Sequence, residues 1–378
     1  MKRIPFNKPY YPVSGLFSVI RSIRSGTISG NGTYTKQVHK FFESRYGFRK
    51  TLMTTSCTDA LEMCAILAGI GPGDEVIMPS FTFVSTANAF LLRGAKIVFA
   101  DTLPDFPAID PAEVEKLITP RTKALVVVHY AGIACDMDRI MEIASGHNLL
   151  VIEDAAHAID SYYKGRPLGS IGHLAAFSFH ETKNVFCGEG GLLVINDERF
   201  INRAEIIWEK GTNRAAFYRG EINKYGWVDI GSSFLPSDAL ASFLCTQLEI
   251  LDRIQKKRIS IWEQYHSKLE SLEQRGILKR PHLPPGTTVN GHLYFIETRD
   301  EEQRDNLISY LKSMGIHAVF HYLPLHSAEY FTGMHDGRPL PNTDRFSRTI
   351  VRLPFYYGLS ARDIDYIVRA IQSCMGDS

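Results

Sequence analysis

The chain has 378 residues, with 42 Lys and Arg against 41 Asp and Glu, a formal net charge of +1 and 44% hydrophobic residues. That length allows a sizeable core and two domains, and the charge balance gives no reason to expect nucleic acid or an anionic membrane as a partner. No apolar run approaches the length of a membrane span, and MKRIPFNKPYY turns polar too early for a signal peptide. Cys57, Cys64, Cys135, Cys187, Cys245 and Cys374 form no C-x-x-C pair and no zinc spacing, which predicts free thiols in a reducing cytoplasm.

In chain order, apolar residues recur at helical spacing from Ser14 to Ile23, and the loop SGTISGNGTYT follows. Its Gly30-Asn31-Gly32 has neither the preceding buried strand nor the third glycine of a dinucleotide loop, so it reads as a surface turn close to a substrate. A helix over 37–46 and a strand over 51–54 lead to TSCTDALEMCAIL, where Ser56, Cys57 and Thr58 open an apolar helix. Orphan amides at such a start form a phosphate site, and ordinary N-capping is the competing reading. A strand over 75–78 ends at PSFTFVSTANAF, where Phe83 can lie against a planar ring while Phe81 reads as core. Strands over 96–100 and 124–128 alternate with helices over 111–118 and 138–146. That is βαβ grammar, and it predicts a largely parallel sheet with helices on both faces.

The stretch from Leu149 to Gly191 organises the rest. Leu149, Leu150, Val151 and Ile152 form the continuous apolar run of a strand buried on both faces, and it stops at Glu153 and Asp154. In an open α/β sheet, ligands bind at the carboxyl ends of strands, so an acid placed there is a site candidate. A second apolar segment, 174–179, leads to Lys183 and to a turn with Gly188, Gly190 and Gly191. A carboxylate and a lysine on neighbouring strand ends suggest a carbonyl cofactor held as a Schiff base, with an acid on its pyridine nitrogen.

Beyond it come a strand over 192–195, a helix over 198–209 and a long irregular loop with Arg214, Tyr218, Arg219, Tyr225 and Trp227. Loops of this length are usually functional or held in a subunit contact, and mixed cations and aromatics suit a nucleotide and its phosphates. One helix over 237–263 carries the expected boundary between a large domain, 1–245, and a small α+β domain, 246–378. In the latter, strands over 293–298 and 318–321 alternate with helices over 302–314 and 361–375, and His321, Tyr322 and His326 cluster in FHYLPLH.

EDAAHA, SFHETKN and GEGG, with SCTDAL, GPGDEVIMPSFTFVSTANAF and LRGAKIVFAD upstream, resemble the DegT/DnrJ group of pyridoxal-phosphate sugar aminotransferases. Within the group, FHETKN, EKGTNR, DIGSSFLPSD and VFHYLPLH are most similar to the members that form dTDP-4-amino-4,6-dideoxy-galactose. The resemblance implies the fold type I architecture of PLP-dependent transferases, an α/β fold with a mostly parallel central sheet. It implies pyridoxal 5'-phosphate on Lys183, Asp154 paired with the pyridine nitrogen, and Thr58, Asp59 and Ser178 at the phosphate. Phe83 then stacks on the ring and His157 sits beside its phenolic oxygen. Many relatives have Asn where this chain has Ser233, the residue that reaches the partner subunit's phosphate, so a homodimer with shared active sites is expected.

The implied reaction moves the amino group of L-glutamate to the C4 ketone of dTDP-4-keto-6-deoxy-glucose, for cell-surface polysaccharide. Arg214, Tyr218, His321 and Tyr322 are the candidate substrate contacts. An equatorial product at C4, a 3-keto substrate and a cofactor-binding regulator without turnover stay open. A dehydratase of the same fold is disfavoured, because it has histidine where Lys183 stands.

Overall fold

The computed structural model describes residues 3–376. Its strands are β1 (Lys50–Thr54), β2 (Glu75–Pro79), β3 (Lys96–Ala100), β4 (Thr122–Val128), β5 (Leu150–Asp154), β6 (Tyr162–Tyr163), β7 (Arg166–Pro167), β8 (Leu174–Ser178), β9 (Gly191–Ile195), β10 (Phe295–Glu297) and β11 (Ile350–Arg352). Seven of them form the central sheet in the order β1-β9-β8-β5-β4-β2-β3. Only β9 runs against the rest: its pairings with β1 and β8 are antiparallel and the other four are parallel. The fold is therefore the fold type I-like α/β architecture, with a mostly parallel sheet between helical layers.

The strands are buried on both faces, and their alternation feeds two cores. Met53, Ile77, Leu125, Val127 and Val151 point into one apolar cluster, while Leu52, Val76, Met78, Val126 and Ile152 point into the other. Such strands read as near-continuous apolar runs, which is why the sequence announced them. The helices that open the chain are α1 (Val13–Arg24), α2 (Thr33–Tyr46), α3 (Cys57–Leu67) and α4 (Val84–Leu91). A third cluster gathers Ile261, Trp262, Tyr265, Tyr294 and the apolar face of the helix Ala361–Met375 around Ile4.

Three expectations fail locally. The long irregular loop is interrupted by a short helix, Arg214–Tyr218. The helix over 237–263 is two helices, Asp238–Leu248 and Leu251–Lys268, with Ile250 at φ −114 and ψ 16 between them. Leu251 and Ile254 still pack into the first cluster, whereas Ile261 and Trp262 reach the third, so the second helix bridges two cores. The strand over 318–321 does not form. Val319 makes one bridge with Arg352, and Tyr322, at φ 39, turns the chain away before pairing can propagate. The six cysteines are all free, and among the described residues no helix is long and apolar enough to cross a membrane.

Candidate active site

The carboxyl ends of β1, β8 and β5 meet the start of β9. Thr54 and Ser178 both pair with Gly191, and Asp154 pairs with Ala176. Gly191 allows this junction to close, since a Cβ there would collide with the backbone of Ser56. Just beyond, α3 begins. The Ser56 side chain accepts the Asp59 amide at 3.1 Å, the Thr55 hydroxyl bonds the Asp59 carboxylate, and the Thr58 hydroxyl donates to Ser85 at 2.8 Å. The first turn thus presents Cys57, Thr58 and Asp59 toward the sheet edge that Ser178 also reaches, a setting for a phosphate group.

Asp154 closes β5 and is buried. One carboxylate oxygen accepts the Thr86 hydroxyl at 2.8 Å and the other the Ala156 amide at 3.1 Å. Burial still raises its pKa, against those two hydrogen bonds and the Lys183 charge. A carboxylate under that penalty is stabilised by a further cation, which a protonated pyridine nitrogen supplies. Its neighbour Glu153 points to the opposite face and is fully buried. It accepts the amides of Gly169, Ile171 and Gly172 and faces His129 Nε2 at 2.9 Å. Burial alone would raise Glu153, but the bonds from His129 and the glycine amides hold it below the usual carboxylate range. This pair locks the end of β5 to β4 and to the loop after β7.

Lys183 sits in the turn that reverses β8 into β9. The turn is closed by bonds from Phe179 N–H to Gly190 O at 2.8 Å and from Lys183 N–H to His180 O at 2.9 Å, with Gly188 at φ 93. Burial lowers the pKa of Lys183, opposed by Cys57 and Asp154 and aided by the positive charge of Arg352. A depressed amine pKa raises the fraction of free nucleophile near neutral pH.

On one side lies a ladder of rings. His157 stacks on His292 at 4.1 Å and 23° and lies 6.4 Å from His321; His321 in turn stacks on Tyr322 at 3.6 Å. Tyr130 OH meets His321 Nδ1 at 2.8 Å. Burial holds His157, His292 and His321 well below the ordinary histidine value, so all three are neutral near pH 7. Phe83, 57% exposed at the start of α4, lies 6.5 Å from the Tyr322 ring and leaves an open aromatic face. Phe81 is buried core, as expected.

The residues expected to hold a cofactor thus gather on one sheet edge: Lys183, Asp154, Thr58, Asp59, Ser178 and His157, with Phe83, His321 and Tyr322 beside them. Arg214, Tyr218 and Ser233 lie elsewhere. They line a cleft of about 770 Å³ that does not include Lys183 or Asp154. There the Arg214 guanidinium donates to Tyr218 OH at 2.8 Å. The cleft adjoins the α3 segment through Phe234, whose carbonyl accepts the Thr55 amide at 3.0 Å.

Four contributors were missed in the sequence. Thr86 holds Asp154. Asn184 is buried directly after Lys183, donates to Gln255 at 2.9 Å and faces His292 Nδ1 at 2.9 Å. His292 thereby ties the lysine turn to His157. Arg352 is the fourth, and nothing local marks it. Asn184 alone carried a usable signal, its adjacency to the lysine.

A lysine amine and a buried acid on adjacent strand ends, with a helix start for a phosphate, define the class of fold type I PLP-dependent transferases. Within that class the chain belongs to the DegT/DnrJ/EryC1/StrS aminotransferase family, whose model matches residues 16–372. It is similar to the spore coat polysaccharide biosynthesis protein SpsC of Bacillus subtilis (strain 168), at 34% identity over 98% of this chain and 96% of that protein. Its fold matches the aminotransferase TlmJ from Streptoalloteichus hindustanus with a TM-score of 0.91, at 29% identity and with 100% of both chains covered. Spr1654 from Streptococcus pneumoniae in its PLP form matches with a TM-score of 0.90, at 27% identity over 100% of this chain and 99% of that one. Family membership and the donor set agree on pyridoxal 5'-phosphate as the cofactor.

Proposed function

We propose that this sugar aminotransferase takes the amino group of L-glutamate and delivers it to the C4 ketone of dTDP-4-keto-6-deoxy-glucose, forming dTDP-4-amino-4,6-dideoxy-galactose for a cell-surface polysaccharide. The observation that carries the reading is the Lys183 amine, depressed by burial, within electrostatic reach of the buried Asp154 carboxylate that closes the neighbouring strand. When bound, pyridoxal phosphate supplies an electron sink and a carbonyl carbon that accepts and returns the amino group.

The chain's own groups do the rest. The first turn of α3 and Ser178 hold the phosphate end, and Asp154, steadied by Thr86, keeps the ring nitrogen protonated. The Lys183 amine, once free, moves a proton to and from the substrate carbon. His157, neutral, sits beside the phenolic oxygen of the ring, and His321, neutral and stacked on Tyr322, orients the substrate without adding charge. The similarity to SpsC, named for spore coat polysaccharide, supports a surface-polysaccharide product. Similarity of FHETKN and VFHYLPLH to the galactose-forming group supports the C4 assignment and the axial amine.

We further propose a homodimer in the cytoplasm. The α1 face bearing Val13 (74% exposed), Leu16 (63%) and Phe17 (58%) is an uncovered apolar row of the kind that marks an association surface. In the dimer, the cleft with Lys36, Lys50, Arg214, Tyr218, Arg219 and Ser233 meets the second copy and takes the nucleotide diphosphate, with Ser233 beside the partner's cofactor phosphate. The test is incubation of the purified protein with dTDP-4-keto-6-deoxy-glucose and L-glutamate, with the product assigned by NMR. An axial amine at C4 supports the reading. An equatorial amine, an amine at C3 or no amino sugar each refutes part of it.

A further inference from the structure

His157 is buried, and its ring is clamped at a face and at an edge. The face lies on His292 at 4.1 Å and 23°. His292 is itself fixed, because the Asn184 amide group donates to Gln255 and to the Asn290 carbonyl, so the Asn184 oxygen accepts the proton of His292 Nδ1 at 2.9 Å. The Asn290 side chain holds the backbone below the stack, donating to the carbonyls of His157 at 2.6 Å and Ile159 at 2.8 Å. At the edge of the ring, the Ala131 amide donates to His157 Nδ1 at 3.3 Å.

That last bond comes from a strained turn. Ala131 has φ 59, a region that residues with a side chain reach at a cost, and Gly132 follows at φ 77, where a Cβ would meet the Asn290 side chain at 2.3 Å. A backbone amide only donates, so His157 Nδ1 holds a lone pair. Burial, aided by the charges of Lys183 and Arg352, keeps the ring neutral. A neutral imidazole with a bare Nδ1 carries its one proton on Nε2. That nitrogen has no hydrogen-bond partner among the described residues. The pocket thus holds a buried N–H donor without its acceptor, in reach of the Lys183 charge.

We propose that the Tyr130–Gly132 turn fixes His157 as an obligate hydrogen-bond donor to the phenolic oxygen of pyridoxal phosphate, and so lowers the pH at which the visible absorbance of cofactor on Lys183 titrates. The inference rests on the aminotransferase reading above, which sets His157 beside that oxygen, and adds which nitrogen faces it and what holds it there. The phenolic oxygen bears its full negative charge once the Lys183 nitrogen opposite has given up its proton, so a donor stabilises the deprotonated form more than the protonated one. An acceptor would do the reverse. The groups facing His157 are Lys183, Arg352, His292, His321 and Tyr130, and those facing Lys183 include Asp154 and Cys57. Burial keeps both other histidines neutral and pushes the Tyr130 hydroxyl up, so these rings hold their charge state near neutral pH.

The experiment is a pH titration of the visible absorbance of the purified holoenzyme and its variants, which needs no turnover. His157→Phe keeps a flat ring against His292 and removes the donor. Its midpoint should rise by about one to two pH units, the weight of one hydrogen bond to a charged oxygen. His157→Gln, which carries an amide N–H, should recover most of that shift. Gly132→Ala leaves His157 in place but drives a Cβ into Asn290 and displaces the Ala131 amide, so its midpoint should rise by a smaller amount.

An unchanged midpoint in His157→Phe overturns the proposal, and a lowered one shows that the ring accepts, which also overturns it. An unchanged midpoint in Gly132→Ala removes the turn from the account. If His157→Phe does not fold, 15N spectra of the unmodified holoenzyme labelled at histidine decide, with the His157 signals identified by their absence in His157→Gln. A bare Nδ1 and a protonated Nε2 are expected, and a proton on Nδ1 overturns the inference. If the unmodified enzyme holds no cofactor on Lys183, the aminotransferase reading falls. If it does and His157→Phe titrates identically, only the donor role falls.

Discussion

The sheet-edge pocket and the cleft beside it are built by opposite means. In the pocket the key groups end strands or tight turns: Asp154 closes β5, Lys183 sits in the β8–β9 reversal, and Glu153, on the other face of β5, takes three backbone amides. The rings of His157, His292 and His321 are neutral because burial forbids charge. In the cleft, Arg214 and Tyr218 sit on the five-residue helix Arg214–Tyr218 and Ser233 on the irregular stretch after it, and its cations are half-exposed and share Glu205 and Glu209 through ion pairs. Rigid elements suit a reaction that every member of a family shares, and loops suit substrate choice, which varies. Substitutions in the pocket should therefore strike the chemical step or the fold, and those in the cleft should change affinity.

The largest effect belongs to Lys183→Ala, which should remove the visible absorbance and the turnover together; an unaltered spectrum in that variant refutes its role. Asp154→Asn should retain cofactor but slow the proton-transfer step by about a thousandfold, seen as a fall in kcat with little change in KM. A variant within tenfold of the parent would separate Asp154 from the chemistry. Glu153→Ala strands His129 and three amides in the core, so urea unfolding should show a loss of about 3 kcal/mol; a loss under about 1 kcal/mol would show that the pair does not hold the end of β5.

The cleft should respond more gently. His39, on its wall, accepts the Met53 amide at Nε2 at 2.7 Å, and burial, then Lys50, lowers its pKa to about 3. The folded value lies below the unfolded one, near 6.5. The stability His39 contributes is therefore complete above pH 6.5 and is lost as pH falls toward 3. From pH 6.5 to 5 unfolding should become easier by about 1–2 kcal/mol on its account, discounted for its partial exposure. His39→Gln should flatten the profile in that window, and an equally steep one would show that the ring titrates freely. Smallest is Arg214→Ala, which should raise KM for the nucleotide sugar about fivefold at constant kcat. A fall in kcat alone would place Arg214 with the chemistry.

The same contrast explains what the sequence made legible. β4 and β5 were readable because strands buried on both faces are continuous apolar runs, and Asp154 because an acid that ends such a run is a local signal. Lys183 was readable from the glycines that follow it. Arg352 was not: its place beside Lys183 depends on β11 pairing with β10 and bridging Val319, contacts made far along the chain. His292 reached His157 in the same way. The broken helix at Ile250 escaped because apolar spacing continues across it, although the two halves serve different cores. For the cleft the stretch's cations and aromatics suggested a nucleotide site, but its separation from Lys183 within one chain was a matter of tertiary packing.

One measurement tests the central claim most directly: borohydride reduction of the purified enzyme, followed by proteolysis and mass spectrometry. The peptide carrying Lys183 is expected to hold a reduced phosphopyridoxyl group on its side-chain nitrogen. An unmodified Lys183 peptide, or the group found on another lysine, would contradict it.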